Sequence, residues 1–382
     1  MLLRDPRTLA LRAELRQFTS ARWTRRAFEA GDFTLNLRAN SIDPDYIGHG
    51  TILEVRRDGV FEFAGAIESR LLDDPALKKR SRSNLWTLSG RDLLGFFGAM
   101  RVVGGDNADA RGPDPAETLI KEYWTAHLLD PGDADRDITN DLSVTFTVPA
   151  STGLGGSVID DGRRKNLLTG ITIPKSREGQ LLCSIALVAG TTNPTGYRLD
   201  VAEPVDRTIA TGVLPFSVGW ETVRSLAYRE NLIDLVNFLY VLGAGTADAR
   251  TVRTRSDTAS IDAYFRHEGF MDARNAVSNA QLDAEGDAEI ARILAAAITA
   301  DAQPRTDARS PIVYRTDWDV GDVITIAVPE VGIEVDRMIA SATVALSAKR
   351  TEDVSLTLGD RAPSMAKLVA EAVRRTLPSQ VQ

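Results

Sequence analysis

Apolar and polar positions alternate along much of this chain with the period of two that a half-buried strand requires. Phe33-Thr34-Leu35-Asn36-Leu37-Arg38 is the clearest case. Leu53 and Val55 continue the style. Asp58-Gly59 then supplies a two-residue hairpin turn, whose central residues both need positive φ, into Val60-Phe61-Glu62-Phe63. With Ile67 and the pair Trp86 and Leu88, the first hundred residues predict a compact antiparallel barrel or sandwich. The Trp86 strand runs into Gly90, which interrupts it, and Asp92 is placed to N-cap a short apolar helix from Leu93 to Met100. Residues 7–29 stay open: Leu9, Leu11, Ala13 and Leu15 alternate as in a strand, while their Ala, Leu, Arg and Glu content favours a helix.

Gly104 to Asp109 reads as a linker. A helix start follows, with Asp114 as N-cap, Pro115 at N1 and Glu117 at N3, and with Ile120, Tyr123, Trp124, His127 and Leu128 on its apolar face. A polar loop over 130–141 leads to a strand-rich, Gly-rich stretch reaching about residue 206. It contains Val144 to Val148, Gly170 to Ile173 and the run Leu181 to Val188. Strand patterning returns near residue 210, with Val236, Phe238 and Tyr240 alternating with Asn237, Leu239 and Val241 before Gly243-Ala244-Gly245. Residues 246–275 are polar and Arg-rich. They lead into a helix best defined by Ile290, Ile293, Leu294, Ala297 and Ile298 and expected to stop at Pro304. Val323 to Val328, Val331 to Ile339, Thr343 to Leu346 and Val354 to Leu358 predict a second β unit. Met365, Leu368, Val369, Ala372 and Val373 predict a final amphipathic helix ending at Pro378. The order is a β unit, a mixed insert, a second β unit split by a helix-bearing insert, and a terminal helix. No short-period repeat points to a solenoid.

A chain of 382 residues is long for one core and fits two or three domains, and 43% hydrophobic with 26% charged residues is ordinary for a globular protein. No apolar run approaches the roughly 18 residues of a membrane span, and Met1-Leu2-Leu3-Arg4-Asp5-Pro6 lacks a signal-peptide core, so synthesis and folding in the cytoplasm are expected. The net charge of −8 argues against a sequence-independent nucleic-acid binder. Charge is uneven, however. Residues 1–104 hold 17 Lys and Arg against 13 Asp and Glu, leaving 28 against 40 for the rest. Arg4, Arg7, Arg12, Arg16, Arg22, Arg25 and Arg26 supply most of the basic excess, as a solvated face or as a docking edge for an acidic partner.

Candidate chemistry is thin. Cys183 is the only cysteine, which excludes an intrachain disulfide and a cysteine-built zinc site, and its apolar run predicts a buried packing residue. His49, His127 and His267 lie far apart with no HExxH spacing. Gly153-Leu154-Gly155-Gly156 and Gly243-Ala244-Gly245 resemble phosphate loops but lack the following helix or the third glycine, so β turns are expected. Asp133-Ala134-Asp135-Arg136-Asp137 copies the opening of a calcium loop, yet Ile138 replaces its glycine and Val144 its bidentate glutamate. No Gly-x-Ser-x-Gly elbow is present. No catalytic, cofactor-binding or metal residue is assigned, and no cofactor is expected.

Several segments in order resemble the siphophage tail-hub (baseplate hub) family, which is related to the central hub proteins of contractile tails and to phage late control protein D. They are Arg22-Trp23 with Gly31 to Leu35, Arg57-Asp58-Gly59 with Phe63-Ala64-Gly65, and Ser89 to Leu94 ahead of Arg101. Asn237 to Gly243, Ile261 to Tyr264 with Arg266-His267-Glu268, and Tyr314 to Ile324 complete the set. Phe265 departs from the pattern, standing where a small residue is expected.

The resemblance implies a mainly β chain with α+β inserts and two related antiparallel β-barrel domains. Residues 1–104 would form the first barrel, 105–206 a mixed insert, and 207–245 with 310–360 the second barrel. A helix-bearing insert would occupy 246–309 and a C-terminal helix 361–382. It further implies a non-enzymatic structural virion protein: a homotrimer at the tail tip, presenting six barrels to hexameric rings. Such a hub joins the tail tube or distal tail ring to fibre or receptor-binding proteins while the genome DNA passes through without specific binding. Three copies would carry −24, three times −8, and an acidic lumen would repel the DNA backbone. The rival readings are a tail-associated cell-wall hydrolase, for which the expected end at Pro378 to Gln382 leaves no added domain, the hub of a tail-derived gene-transfer or injection particle, and a sugar-binding adhesin, which the scattered Tyr and Trp residues disfavour.

Overall fold

In the computed structural model, which describes residues 1–57, 59–73, 84–103, 110–160, 164–246, 249–274, 276, 278–307, 309–349 and 351–359, the alternation around Phe33 does form a strand. Asp32–Arg38 buries Phe33, Leu35 and Leu37 and turns its polar residues away. It lies antiparallel between Ser20–Arg26 and Leu85–Arg91, with Ser69–Asp73 beyond the latter. A second sheet, ordered Leu11–Glu14, Leu2–Arg4, Ile52–Arg57, Val60–Ala66, shares the core of this one. Leu3, Leu53, Val55 and Phe63 belong to the same buried cluster as Trp23, Phe33, Leu35 and Leu88, and the rings of Phe33 and Phe63 meet edge-on at 6.1 Å. The predicted hairpin is present: Arg57 stands opposite Val60 and Gly59 has φ +82°, while Asp58 lies outside the described residues. The open stretch 7–29 resolves as strands, because the ladders they join outweigh intrinsic helix preference.

The two β units share one sheet. Periodicity predicts separate strands at Val331 to Ile339 and Thr343 to Leu346, but Ile333–Ser347 is one continuous strand of 15 residues. Its first part pairs with Val323–Val328. Its second part is flanked by Glu352–Leu358 on one side and by Ser20–Arg26 of the N-terminal unit on the other. Neighbours on both edges keep it extended where either ladder alone would end. The sheet runs in the order Val223–Glu230, Ile298–Pro304, Glu352–Leu358, Ile333–Ser347, Ser20–Arg26, Asp32–Arg38, Leu85–Arg91, Ser69–Asp73, with Val323–Val328 and Asp206–Arg207 branching from Ile333–Ser347. One buried cluster extends from Leu3 to Leu358 beneath it. The chain is mostly β, as its period-two segments predict. Among the described residues, the main eight-strand run of the sheet keeps two ends rather than closing into a barrel.

Residues 110–202 build a second core on the short helix Leu93–Ala99. Phe97 meets Phe146 and Tyr197 edge-on at 5.2 and 4.9 Å, and Trp124 stacks on Phe146 at 6.3 Å. The predicted helix covers Ala116–Trp124, and Ile120, Tyr123, Trp124, His127 and Leu128 are all buried. Its start differs from expectation: Asp114 belongs to the strand Arg111–Pro115, and Pro115 occupies the cap position. Gly170 to Ile173 is helical rather than extended. Asn166 caps that turn by accepting from the amides of Leu168 and Thr169 at 3.0 Å each, and Ile173–Gly179 continues it. Leu182–Val188 is a strand as predicted, paired with Gly196–Ala202.

Between Val223–Glu230 and Ile298–Pro304 the chain makes a small unit of its own. Phe238–Leu242 is flanked by Val252–Ser256 antiparallel and Glu268–Asp272 parallel. Leu239 and Val241 pack under the helix Asn279–Ala297 with Leu282 and Ile290. That helix stops at Ala297. Residue 298 already belongs to the strand paired with Val223–Glu230, so Pro304 ends a strand and not the helix. The linker at Gly104 to Asp109 and the terminal helix at 361–382 lie outside the described residues.

Candidate assembly interface

The segment from Thr87 to Arg101 turns a strand into a helix within two residues, and glycine makes the turn possible. A Cβ on Gly90 would overlap the carbonyl oxygen of Ala66, and one on Gly65 would come within 2.6 Å of the Arg91 carbonyl and 2.8 Å of Phe33. Backbones therefore cross there at a distance no side chain permits. Asp92 caps Leu93–Ala99 as predicted, accepting from Gly95 N at 2.7 Å, and its other oxygen accepts from Gly31 N at 2.6 Å. Burial pushes its carboxyl up to about 6 against the lowering effect of those two amides. Arg91 does not pair with Asp92. Its Nε and backbone N donate to Glu68 Oε2 at 2.8 and 3.0 Å, an ion pair within the chain.

A polar seam joins the two β units. Thr24 and Thr343 share a hydroxyl hydrogen bond at 3.0 Å, and Arg25 binds Asp319 and the Tyr314 hydroxyl. Arg57 donates to buried Glu62 at 2.7 Å and to Glu352 at 2.7 and 2.9 Å, and Glu62 also accepts from the Trp23 indole at 3.1 Å. No spacing in the sequence announces this seam, because its members come from ends of the chain about 300 residues apart. The basic N-terminal residues are largely consumed locally. Arg4 pairs with Glu54 at a buried site, Arg12 with Asp5, Arg16 with Glu14, Arg25 with Asp319 and Arg26 with Asp32. Five of the seven arginines named for the basic excess thus have a carboxylate partner within the chain. Arg22 is exposed.

The sheet ends in two strands that each have one neighbour among the described residues. Every residue of Ser69–Asp73 is exposed, Leu71 and Leu72 included. At the other end Val223–Glu230 shows most of its side chains to solvent. Such edges present unpaired N–H and C=O groups that natural proteins cover or pair.

The residues considered for chemistry do not converge. His127 is buried and stacked on Tyr123 at 5.9 Å, His267 is exposed with Nε2 3.0 Å from the Tyr264 carbonyl, and exposed His49 lies near Phe96. Among the described residues, no group of three or more His, Cys, Asp or Glu could hold a metal ion, and no helix is long and apolar enough to cross a membrane. Asp133 and Asp137 accept from backbone amides of their own loop at 3.1 and 2.8 Å. Cys183 is partly buried on Leu182–Val188, and burial pushes its thiol up to about 12, so it stays protonated at neutral pH. The Gly153 loop does cradle an anion, and that anion is the chain's own Glu117, which accepts from the amides of Thr152 and Leu154 at 2.9 Å each. Beside it, a shallow cleft of about 500 Å³ is lined by residues including Arg111, Lys121 and Glu122, of which Lys121 pairs with Glu117 and Arg111 with Glu122.

The family model described as siphovirus ReqiPepy6 Gp37-like protein matches residues 1–360. Three solved structures resemble this chain. The tail protein from Neisseria meningitidis MC58 is 16% identical with a TM-score of 0.56, covering 91% of this chain and 94% of that one. The 43 kDa tail protein of prophage MuSo2 from Shewanella oneidensis is 12% identical at 0.57, covering 89% and 94%. Prophage tail protein gp18 from Listeria monocytogenes EGD-e is 10% identical at 0.55, covering 98% of both. At these identities the likeness is one of fold. No curated protein sequence matches this chain.

Proposed function

The chain belongs to the siphovirus ReqiPepy6 Gp37-like protein family, and from that premise we propose that it is a structural hub of a phage tail, trimeric and placed at the tail tip. Neighbours with its fold are named tail proteins, which supports a place in the virion. In this reading residues 1–104 and 207–245 with 310–360 act as two barrel-like units, and 105–206 and 246–309 are inserts. The hub joins the tail tube or distal tail ring to fibre or receptor-binding proteins, and the genome passes through its lumen. It performs no catalysis.

One observation carries the reading. Ser20–Arg26 and Ile333–Ser347 zip the two β units edge to edge inside one chain, and among the described residues the main run of the sheet leaves a free strand at either end. A ring needs the same relation between chains: the Val223–Glu230 edge of one copy meets the Ser69–Asp73 edge of the next. Contacts of this head-to-tail kind close when the rotation is right, and three copies with two β units each give six. The net charge of −8 per chain favours an acidic lumen that repels DNA, and an electropositive lumen in the assembled ring would sink that part.

Imaging of intact particles tests the placement, since density at the tail tip is expected and finding the chain in the head, or absent from particles, overturns it. Stoichiometry is tested by oxidising Leu72→Cys/Tyr228→Cys chains: covalent three-chain rings are expected, and two-chain products alone overturn the trimer. Release of soluble fragments from cell-wall material would replace this reading with the hydrolase.

A further inference from the structure

Phe265 is held in a conformation that side chains avoid, with its ring in solvent. Its φ is +63° with ψ 171°, a region that is essentially glycine-only, and its side chain is 85% exposed. The surrounding structure enforces the strain. Asn237, fully buried, donates from Nδ2 to the Phe265 carbonyl at 2.7 Å and to Ser260 Oγ at 3.2 Å, while its Oδ1 accepts from His267 N at 2.7 Å. Between those anchors Arg266 lies over the Phe238 ring at 3.5 Å and pairs with Glu268 at 2.7 Å. Strain at an exposed ring stabilises nothing within this chain.

The position of Phe265 indicates what covers it. The hydroxyl of Tyr264, one residue earlier, donates to Glu230 Oε1 at 2.7 Å, and Glu230 is the last residue of the free edge strand Val223–Glu230. Ile233, three residues past that strand, is 88% exposed. Phe270, on the sheet face away from the helix Asn279–Ala297 and opposite Tyr240 in register, is 77% exposed. Phe265 and Ile233 thus lie by the end of the free edge, with Phe270 on the same small unit. The sheet's other free edge has matching chemistry: Leu71 and Leu72 lie exposed between Arg70 and Asp73, and Arg229 and Glu230 close the facing strand.

We propose that Phe265, with Ile233 and Phe270, docks on a second copy of this chain, against its exposed Ser69–Asp73 strand, and locks neighbouring copies together. The inference rests on the ring reading above and adds to it the residue that holds the ring shut. Phe265 contributes apolar area where the strand edges contribute backbone hydrogen bonds, so edge pairing and ring closure are separable.

Two variants of the full chain test this, Phe265→Gly and Phe265→Asp, with association followed by sedimentation over a concentration series and monomer stability by thermal melting. Glycine accepts φ +63° without cost, so Phe265→Gly is expected to weaken association at least tenfold while the monomer melts at the same temperature or higher. Phe265→Asp is expected to weaken association further. Unchanged association of both variants, in a protein whose wild type forms rings, overturns the docking role and leaves the ring standing; so does binding of a soluble saccharide or another tail protein that Phe265→Gly abolishes without affecting association. A drop in both melting temperature and association for Phe265→Gly overturns it too, by making the ring a structural residue. A wild type that does not self-associate even inside particles overturns both readings.

Discussion

Glu352 accepts two hydrogen bonds from Arg57, at 2.7 and 2.9 Å, across 295 residues of chain. The same guanidinium holds Glu62, which is 3% exposed and also accepts from Trp23. Removing Arg57 therefore strands a buried carboxylate, whereas removing Glu352 leaves Arg57 its first partner. Breaking a buried pair from one side costs about 3 kcal/mol or more, and a partly exposed one about 1 kcal/mol. Arg57→Met is expected to lose the larger amount and Glu352→Gln the smaller, read from urea unfolding at neutral pH. The two β units should unfold together, because the seam makes them one cooperative body; a separate transition of either unit would contradict the shared core.

Much of that body is legible in the residues themselves. The Phe33 alternation, the Gly59 hairpin and the Asp92 cap are set by contacts within a few residues, so local pattern suffices for them. The Ser20–Arg26 strand is different. Its composition is compatible with a helix, and two partners decide the matter together, the nearby Asp32–Arg38 and Ile333–Ser347 some 300 residues away. Gly170 to Ile173 misleads for a similar reason: its β-branched residues favour extension, but Asn166 caps the preceding turn and the packing of Ile171 keeps it helical. The candidate interface is less legible still. Nothing in the order of residues says that Ser69–Asp73 and Val223–Glu230 end the sheet, since an edge is defined by the strand that is absent beside it. Phe265 alone left a trace, as a large residue where a small one was expected.

Asp92 gives the joint a pH dependence of defined sign. Its carboxyl titrates at about 6 in the folded chain, against 3.8 for an ordinary aspartate, because burial disfavours the charged form. The folded state therefore holds this proton more tightly than the unfolded state between those values. The contribution to stability is greatest below about 4, falls as pH rises through 6, and is constant above. Other groups titrate in the same range, so the informative quantity is the difference from Asp92→Asn, which keeps one capping oxygen and cannot ionise. Melting temperatures of wild type minus variant should decline from pH 4 to pH 6 and then level off. A difference that rises over that interval would mean the carboxylate is the favoured form.

Gly90 is expected to tolerate no side chain. The Ala66 carbonyl occupies the space of a Cβ, and Ala66 belongs to the neighbouring sheet, so relief requires the two sheets to part. Overpacking of this kind costs typically 1–3 kcal/mol when side chains can move, and more where backbone must. Gly90→Ala should lower the urea midpoint by an amount equivalent to about 3 kcal/mol, whereas Gly59→Ala, in open space at φ +82°, should cost only about 1 kcal/mol of backbone strain. Equal losses at the two sites would show that the crossing at Gly90 is looser than its geometry.

Glu117 anchors the glycine-rich loop from its helix, and charge is what makes the anchor work. Its Oε2 accepts from the amides of Thr152 and Leu154 and from the hydroxyls of Ser151 and Thr152, and its other oxygen binds Lys121. Those donors outweigh the opposing effect of burial and hold the carboxyl down at about 2, below the ordinary 4.5. A depressed folded-state pKa places its stabilising contribution above the unfolded value, so this contribution is complete at neutral pH and is lost as pH falls from about 4.5 towards 2. Glu117→Gln keeps an oxygen for one amide and presents an NH₂ group to donors, leaving Lys121 without its carboxylate. Charge-assisted bonds are worth about 1.5–3 kcal/mol each in net terms, and losing two should cost on the order of 3 kcal/mol at pH 7. Limited proteolysis supplies the local readout: the variant should be cut within 150–156 at pH 7, where the wild type resists. At pH 2.5, with the wild-type carboxylate partly protonated, the two chains should approach equal stability, and a variant as resistant as the wild type at neutral pH would show that the loop is held by its turns and not by Glu117.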